Sequence, residues 1–191
     1  MDLRVSLVAA ARGRPLLAER FDDDRPLDVA GLRAVESAVR GLVPLGAASL
    51  RYCSPTPRCR ATAEALGYAP LAQPALRACD MGRWRGLTPA EAAAREPDAV
   101  DAWLTDPEAA PHGGESLIAF ILRVGGWLDT RPADDVGAIV AVAEPTVVRA
   151  ALVHALRAPP LTYWNVDVGA LSTLTLTGRP GRWYLSLPTA S

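Results

Sequence analysis

The feature that most constrains this chain is an apolar run at Val136–Ala143, which contains no charged residue and is followed almost at once by a helical pattern. A short apolar run bounded by polar segments is typical of a strand that is buried on both faces. We predict that the following helix extends from Thr146 to Leu156. The run Leu3–Ala10 is also mainly apolar and predicts a second buried strand. Strands that are each followed by a helix indicate a sheet covered by helices.

The remaining segments alternate between strand and helix patterns, and Pro, Gly and polar residues separate them. Further strands are predicted at Ser49–Cys53, Leu171–Thr177 and Arg182–Leu187, the last two joined by a turn at Gly178–Gly181. Further helices are predicted at Val29–Leu42, Pro57–Leu66, Pro89–Arg95, Pro97–Leu104 and Ser116–Thr130. The sequence therefore predicts a single domain, residues 1–191, folded as a three-layer α/β/α sandwich around one mostly parallel sheet.

Composition and charge exclude several classes of protein. Half of the 191 residues are hydrophobic and 21% are charged, so the chain can bury a core without disulfide bonds. A net charge of -1 leaves no basic field for nucleic acid or an anionic membrane. The apolar runs are too short to span a bilayer, and the N-terminus lacks the pattern of a signal peptide. The three cysteines fit no zinc spacing, and we expect a cytoplasmic protein.

Several short motifs carry a resemblance to a known family. Residues 54–63 read S-P-T-P-R-C-R-A-T-A, residues 80–86 read D-M-G-R-W-R-G and residues 112–116 read H-G-G-E-S. They resemble the S-P-x-x-R-x-x-x-T-A segment, the acidic–G–W–G loop and the P-G-G-E-S element of the histidine phosphatase superfamily, which includes the phosphoglycerate mutases. Residues 141–150 resemble the family's second histidine motif in their position, at the end of a strand and the start of a helix. The order and spacing agree over nearly the whole chain and imply a histidine phosphatase-like fold.

This sequence departs from the family at the two positions that carry its catalytic histidines. Members of this family carry Arg-His-Gly after the first strand, and that histidine attacks phosphorus. The corresponding residues here are Ala9, Ala10 and Ala11, and the family's second histidine falls at Glu144. A methyl group has no lone pair, so Ala10 cannot be a nucleophile. A carboxylate about 4 Å from an anionic ligand repels it by roughly 4 kcal/mol at an effective dielectric constant of about 20. We therefore expect no phosphohistidine chemistry.

The same resemblance places Asp80 and Glu115 near Glu144, so that three carboxylates would face Arg58. These carboxylates are the candidate catalytic groups, because close like charges push two pKa values apart and create an acid and a base. Arg58 would hold a substrate carboxylate or oxyanion, or would instead form an ion pair with Glu144. The other candidate ligand-binding residues are Ala10, Arg12 and Trp84.

Two main functional hypotheses follow from these residues. The first is an enzyme repurposed for acid/base catalysis, namely isomerisation, cyclisation or dehydration of a small organic molecule in a specialised biosynthetic pathway. The second is a non-catalytic pseudophosphatase that binds a ligand or a protein partner. A phosphatase inactivated in the laboratory and a weakly active phosphatase that uses water are lesser alternatives.

The sequence offers little for a cofactor or a metal ion. The chain has two histidines, at positions 112 and 154, which are far apart and lack a helical ligand spacing. It contains no P-loop and no dinucleotide fingerprint. We expect no cofactor and no metal, and the partners considered are a small-molecule ligand and a second copy of the chain in a homodimer.

Overall fold

The structure is a computed structural model that describes residues 2–12, 20–21, 23–132 and 137–187. Its strands are Leu3–Ala9 (β1), Leu50–Cys53 (β2), Leu71–Ala72 (β3), Ala138–Ala143 (β4), Thr173–Arg179 (β5) and Arg182–Ser186 (β6). Its α-helices are Val29–Leu42 (α1), Pro57–Ala65 (α2), Pro89–Arg95 (α3), Pro97–Thr105 (α4), Leu117–Asp129 (α5) and Pro145–Ala155 (α6). The predicted start of the fourth strand, at residue 136, lies outside the described residues.

The helices begin where the sequence supplies a cap or a proline. Asp28 accepts a hydrogen bond from the backbone N–H of Gly31 at 2.8 Å, and the Ser116 hydroxyl caps α5 in the same way. Thr88 and Glu91 form a reciprocal capping box at the start of α3. Helices α2, α4 and α6 each begin with Pro, whose missing N–H costs nothing at the first helical position.

The strands of the described residues form one sheet in the order β3-β2-β4-β1-β5-β6. The neighbours from β3 to β1 are parallel, whereas β5 and β6 are antiparallel to their neighbours. The predicted mostly parallel sheet is therefore confirmed. The carboxyl ends of β1, β2 and β4 meet at one edge of the sheet, where ligands bind in folds of this type.

Side chains from the two faces of the sheet enter two separate apolar clusters. On one face, Val8 belongs to a cluster with Val35 of α1 and Cys59 of α2. On the other face, Leu7 belongs to a cluster with Phe120 of α5 and with residues of α6. Because successive strand residues point to opposite faces, one strand supplies both clusters. The predicted three-layer arrangement is confirmed.

Strand β5 begins and ends two residues later than the predicted Leu171–Thr177, and two further details of the fold differ from the sequence prediction. Arg179 pairs with Arg182, so that Pro180 and Gly181 alone form the turn between β5 and β6, which is tighter than the predicted turn. Strand β3 was not predicted, because two residues are too few to show an alternating pattern. No helix in the described ranges is long and apolar enough to cross a membrane.

Candidate functional site

The ends of β1 and β4 lie side by side at the carboxyl edge of the sheet. Ala9 is the register partner of Ala143, and the backbone N–H of Ala10 donates to the carbonyl of Ala143 at 2.8 Å. Glu144 follows immediately and is the N-cap residue of α6. The two positions that the family resemblance singled out, Ala10 and Glu144, are therefore brought together by the sheet.

The carboxylate of Glu144 does not cap its own helix and is bound instead by residues at the start of α2. Arg58 donates from Nε to Oε1 at 3.2 Å and from Nη2 to Oε2 at 3.0 Å. The hydroxyl of Thr56 donates to Oε1 at 3.3 Å. A planar guanidinium that grips both oxygens is the strongest arrangement for such a pair. The ion pair considered from the sequence is formed.

Arg58 also belongs to a row of alternating charges. Its Nη2 atom lies 3.9 Å from Oδ1 of Asp23, whose Oδ2 lies 2.8 Å from Nε of Arg25. Burial acts to lower the pKa of Arg58, but the charge and hydrogen bonds of Glu144, helped by Asp23, raise that pKa above its usual value. Two carboxylates thus neutralise the cation at the centre of the site.

Glu144 is largely buried among the residues that contact it. Only 7% of it is exposed, so that its carboxylate is solvated by protein groups rather than by water. The Sγ atom of Cys59 lies 3.5 Å from Oε1 of Glu144. Burial, and then the negative charge of Glu144, raise the pKa of the Cys59 thiol well above its usual value. A thiol in this environment stays protonated and is a poor nucleophile.

The end of β1 is apolar and closed. Ala10 and Ala11 are fully buried, and the Leu171 side chain packs against the cluster that contains them. Leu171 has a φ of 60°, which is rare for a residue with a branched side chain, and its N–H donates to the carbonyl of Ala9 at 3.0 Å. The N–H of Ala11 donates to the Thr62 hydroxyl at 3.2 Å, and the methyl side chains of Ala10 and Ala11 offer no polar atom.

Asp80 and Glu115 do not join Glu144 around Arg58, contrary to the arrangement expected from the sequence. Glu115 forms its ion pair with Arg123, at 2.6 Å from Nε and 2.7 Å from Nη2. Asp80 accepts from the N–H of Gly82 at 2.9 Å, and its own N–H donates to Glu115. Burial acts to raise the pKa of Glu115, but the Arg123 and Asp80 hydrogen bonds lower it overall. The physical reason is that a nearer arginine competes for Glu115.

The remaining candidate residues, Trp84 and Arg12, and the two histidines lie outside the group around Glu144. Trp84 is 1% exposed, stacks on Phe21 at 6.1 Å and lies 5.0 Å from the ring of His112. Arg12 is exposed at the end of the first described range. His112 is buried, and this burial lowers its pKa, while Nε2 of His154 lies at hydrogen-bond distance, 2.8 Å, from Oδ2 of Asp129.

Sequence reasoning missed three residues that complete the site. Thr56 precedes a proline at the start of α2, a position where hydroxyl residues are common and where its role could have been suspected. Asp23 lies in an acidic loop that gave no hint of its partner. Cys59 lies in the first turn of α2 and carries no sequence signal for its contact with Glu144.

Comparison with known proteins assigns the family. The sequence profile of the histidine phosphatase superfamily (branch 1) matches residues 19–190. The chain belongs to the histidine phosphatase superfamily. The matched region begins after β1, so that Ala9, Ala10 and Ala11 lie outside it.

Curated relatives of this superfamily member come from mycobacteria. The bifunctional protein Rv2228c of Mycobacterium tuberculosis is 36% identical over 102 residues, which are 51% of this chain and 28% of the relative. Glucosyl-3-phosphoglycerate phosphatase of the same organism is 33% identical over 116 residues, which are 56% of this chain and 52% of the relative. The chain thus spans between about a quarter and about half of the length of these relatives.

Solved structures agree with the superfamily fold along the whole chain. Mycobacterial hydrolase 1 has a TM-score of 0.80 at 25% identity, with all of both chains covered. The native structure of mycobacterial glucosyl-3-phosphoglycerate phosphatase has a TM-score of 0.76 at 25% identity and covers 98% of this chain and 99% of that one. A phosphoserine phosphatase mutant from Entamoeba histolytica reaches 0.83 at 18% identity, covers 97% of this chain and 95% of that one, and shows the fold alone.

Proposed function

We propose that this chain is a histidine phosphatase superfamily member without phosphohistidine chemistry, which acts as a non-catalytic binding protein. The observation that carries the proposal is the bidentate ion pair between Glu144 and Arg58, beside an alanine at the end of β1. An internal carboxylate holds the arginine that an anionic substrate would need. The side chain at position 10 supplies no nucleophile.

Electrostatics support this proposal. A phosphate monoester would have to displace Glu144 from Arg58 and would then lie beside an unpaired carboxylate. At about 4 Å, the repulsion between two unit charges is roughly 4 kcal/mol at an effective dielectric constant of about 20. Such a penalty weakens binding by roughly a thousandfold. We therefore do not expect this chain to share the phosphatase activity for which some of its relatives are named.

The positions of the two histidines also support it. His112 packs between aromatic rings, 4.6 Å from Trp103, and His154 is bound by Asp129. Each has a structural partner, and neither belongs to the residues that follow β1 or β4 directly. A second route to phosphohistidine would require one of them to leave these contacts.

Acid/base catalysis has weaker support than binding. It requires one carboxyl group to keep its proton near neutral pH. The hydrogen bonds of Arg123 lower the pKa of Glu115 instead, and both oxygens of Glu144 accept hydrogen bonds from Arg58. The carboxylates thus lie in separate ion pairs, which provides no shared proton.

The test compares wild type, Arg58→Ala and a mycobacterial glucosyl-3-phosphoglycerate phosphatase as positive control. Each is incubated with p-nitrophenyl phosphate and glucosyl-3-phosphoglycerate, and released phosphate is measured. We expect release from the control enzyme alone, and no acid-labile phosphoprotein in this chain. Turnover by wild type that Arg58→Ala abolishes would overturn the proposal.

A further inference from the structure

Phe21, Asp23 and Asp24, which precede α1, contact residues near the site through backbone hydrogen bonds and side chains. The N–H of Phe21 donates to the carbonyl of Leu87, and the N–H of Gly86 donates to the carbonyl of Phe21, both at 2.8 Å. The Phe21 ring stacks on Trp84. Paired backbone hydrogen bonds together with one seated aromatic side chain are a recurrent way to hold a peptide.

Two acidic side chains of the same segment meet three arginines. Asp23 lies 3.9 Å from Nη2 of Arg58. Asp24 lies between two guanidinium groups, 3.4 Å from Nη2 of Arg77 and in closer contact with Arg85. The three arginines come from different parts of the chain. Together they form ion pairs with two consecutive aspartates, Asp23 and Asp24.

The contacts of Asp24 are weak enough to be exchanged. The side chains of Asp24, Arg77 and Arg85 are 42%, 41% and 50% exposed. Ion pairs with this exposure contribute little to stability and are screened by salt. Asp24 is therefore held by exposed charge contacts, whereas Phe21 packs against the core and the Asp23 side chain is 13% exposed.

We infer that Arg58, Arg77 and Arg85, with the loop at residues 84–87, form a docking face for an acidic peptide of a partner protein. In the free protein, Phe21, Asp23 and Asp24 occupy this face. The inference rests on the proposed binding function and names its partner class. The fitting peptide carries an aromatic residue followed, two and three positions later, by acidic residues. A free polyanion would use the arginines but neither the backbone pairing nor the Trp84 face.

The experiment uses the intact chain and a fluorescein-labelled peptide with the sequence of residues 20–26. Binding is measured by fluorescence anisotropy for wild type and for the unmasked variant Asp23→Asn/Asp24→Asn. A tethered competitor has an effective concentration in the millimolar range, so removing its charges should tighten peptide binding by at least about tenfold. Adding Arg77→Gln/Arg85→Gln to the unmasked variant should reverse the gain.

The matched control is Asp98→Asn/Asp101→Asn, which makes the same change in net charge at two exposed positions of α4. We expect this control to bind the peptide as weakly as wild type. Equal binding by all three proteins, or no binding by the unmasked variant, would overturn the inference. Binding of tripolyphosphate to the unmasked variant, measured by calorimetry, with no binding of the peptide would also overturn it, because the face would then recognise a free polyanion. None of these outcomes alters the phosphatase assay, which tests the proposed function separately.

Discussion

Replacing Arg58 by Ala tests whether the central ion pair is internal structure or an open anion site. The substitution leaves the Glu144 carboxylate, 7% exposed, with the Thr56 hydroxyl and the Cys59 thiol as its side-chain contacts. Removing one partner of a fully buried pair costs about 3–5 kcal/mol. Because a quarter of the Arg58 side chain is exposed, we expect a loss of about 2–4 kcal/mol in the free energy of unfolding.

The measurement is a double-mutant cycle followed by urea unfolding. Glu144→Ala is expected to cost less than Arg58→Ala, because Arg58 retains Asp23 at 3.9 Å and partial access to water. The double variant Arg58→Ala/Glu144→Ala should be more stable than additivity predicts, with a coupling free energy of about 2 kcal/mol. Arg83→Gln, which removes an exposed ion pair with Glu96, is the control and should shift the midpoint little.

The opposite result would identify an open anion site. Residues kept for binding are often neutral or costly for stability, so Arg58→Ala would then leave the urea midpoint unchanged or raise it. Inorganic phosphate would also raise the melting temperature of wild type, since a ligand that binds only the folded state stabilises it. Either observation would refute the internal ion pair as the main role of Arg58.

Two further predictions concern stability. Gly126→Ala should stabilise the protein by about 0.5–1 kcal/mol, because an alanine side chain there meets no atom within 4 Å and favours α5. Its neighbour Gly125→Ala should destabilise by about 1–3 kcal/mol, because its Cβ would lie 2.1 Å from Nδ1 of His154; thermal unfolding of the two variants compares them directly, and equal shifts would contradict the geometry. Glu115, whose pKa is lowered in the fold, contributes stability that is present above its ordinary pKa of 4.5 and is lost as the pH falls through the lowered value. Glu115→Gln should therefore flatten the dependence of unfolding free energy on pH below pH 4.5, and an unchanged slope would argue against that ion pair.

Most elements of the fold could be predicted because their signals are local. The apolar strand β4 and the proline that opens α6 are separated by Glu144 alone, so that the strand end and the helix start are fixed together. The start of α5 also has a local signal, because the Ser116 side chain caps this helix. Strand β3 was beyond reach, since its two residues take their conformation from pairing with β2 and not from their own pattern.

The candidate site could be predicted only in part, because its pairs connect distant residues. The resemblance to the family placed Arg58 and Glu144 together, and their ion pair was one of two interpretations of Arg58. The partner of Glu115 depends on the direction of the Arg123 side chain, which also donates to the carbonyls of Ala75, Arg77 and Ala78. No residue pattern shows which of two arginines a carboxylate will choose.

The charge balance at the sheet edge explains why a carboxylate suits position 144. Arg58 lies in the first turn of α2, where the helix dipole is positive, and Glu144 lies at the start of α6, where it is positive again. A neutral residue at 144 would leave a largely buried guanidinium beside two positive helix ends. In an active phosphatase a bound anion can balance that charge only while the ligand is present. Glu144 balances it from within the protein, through its two hydrogen bonds with Arg58.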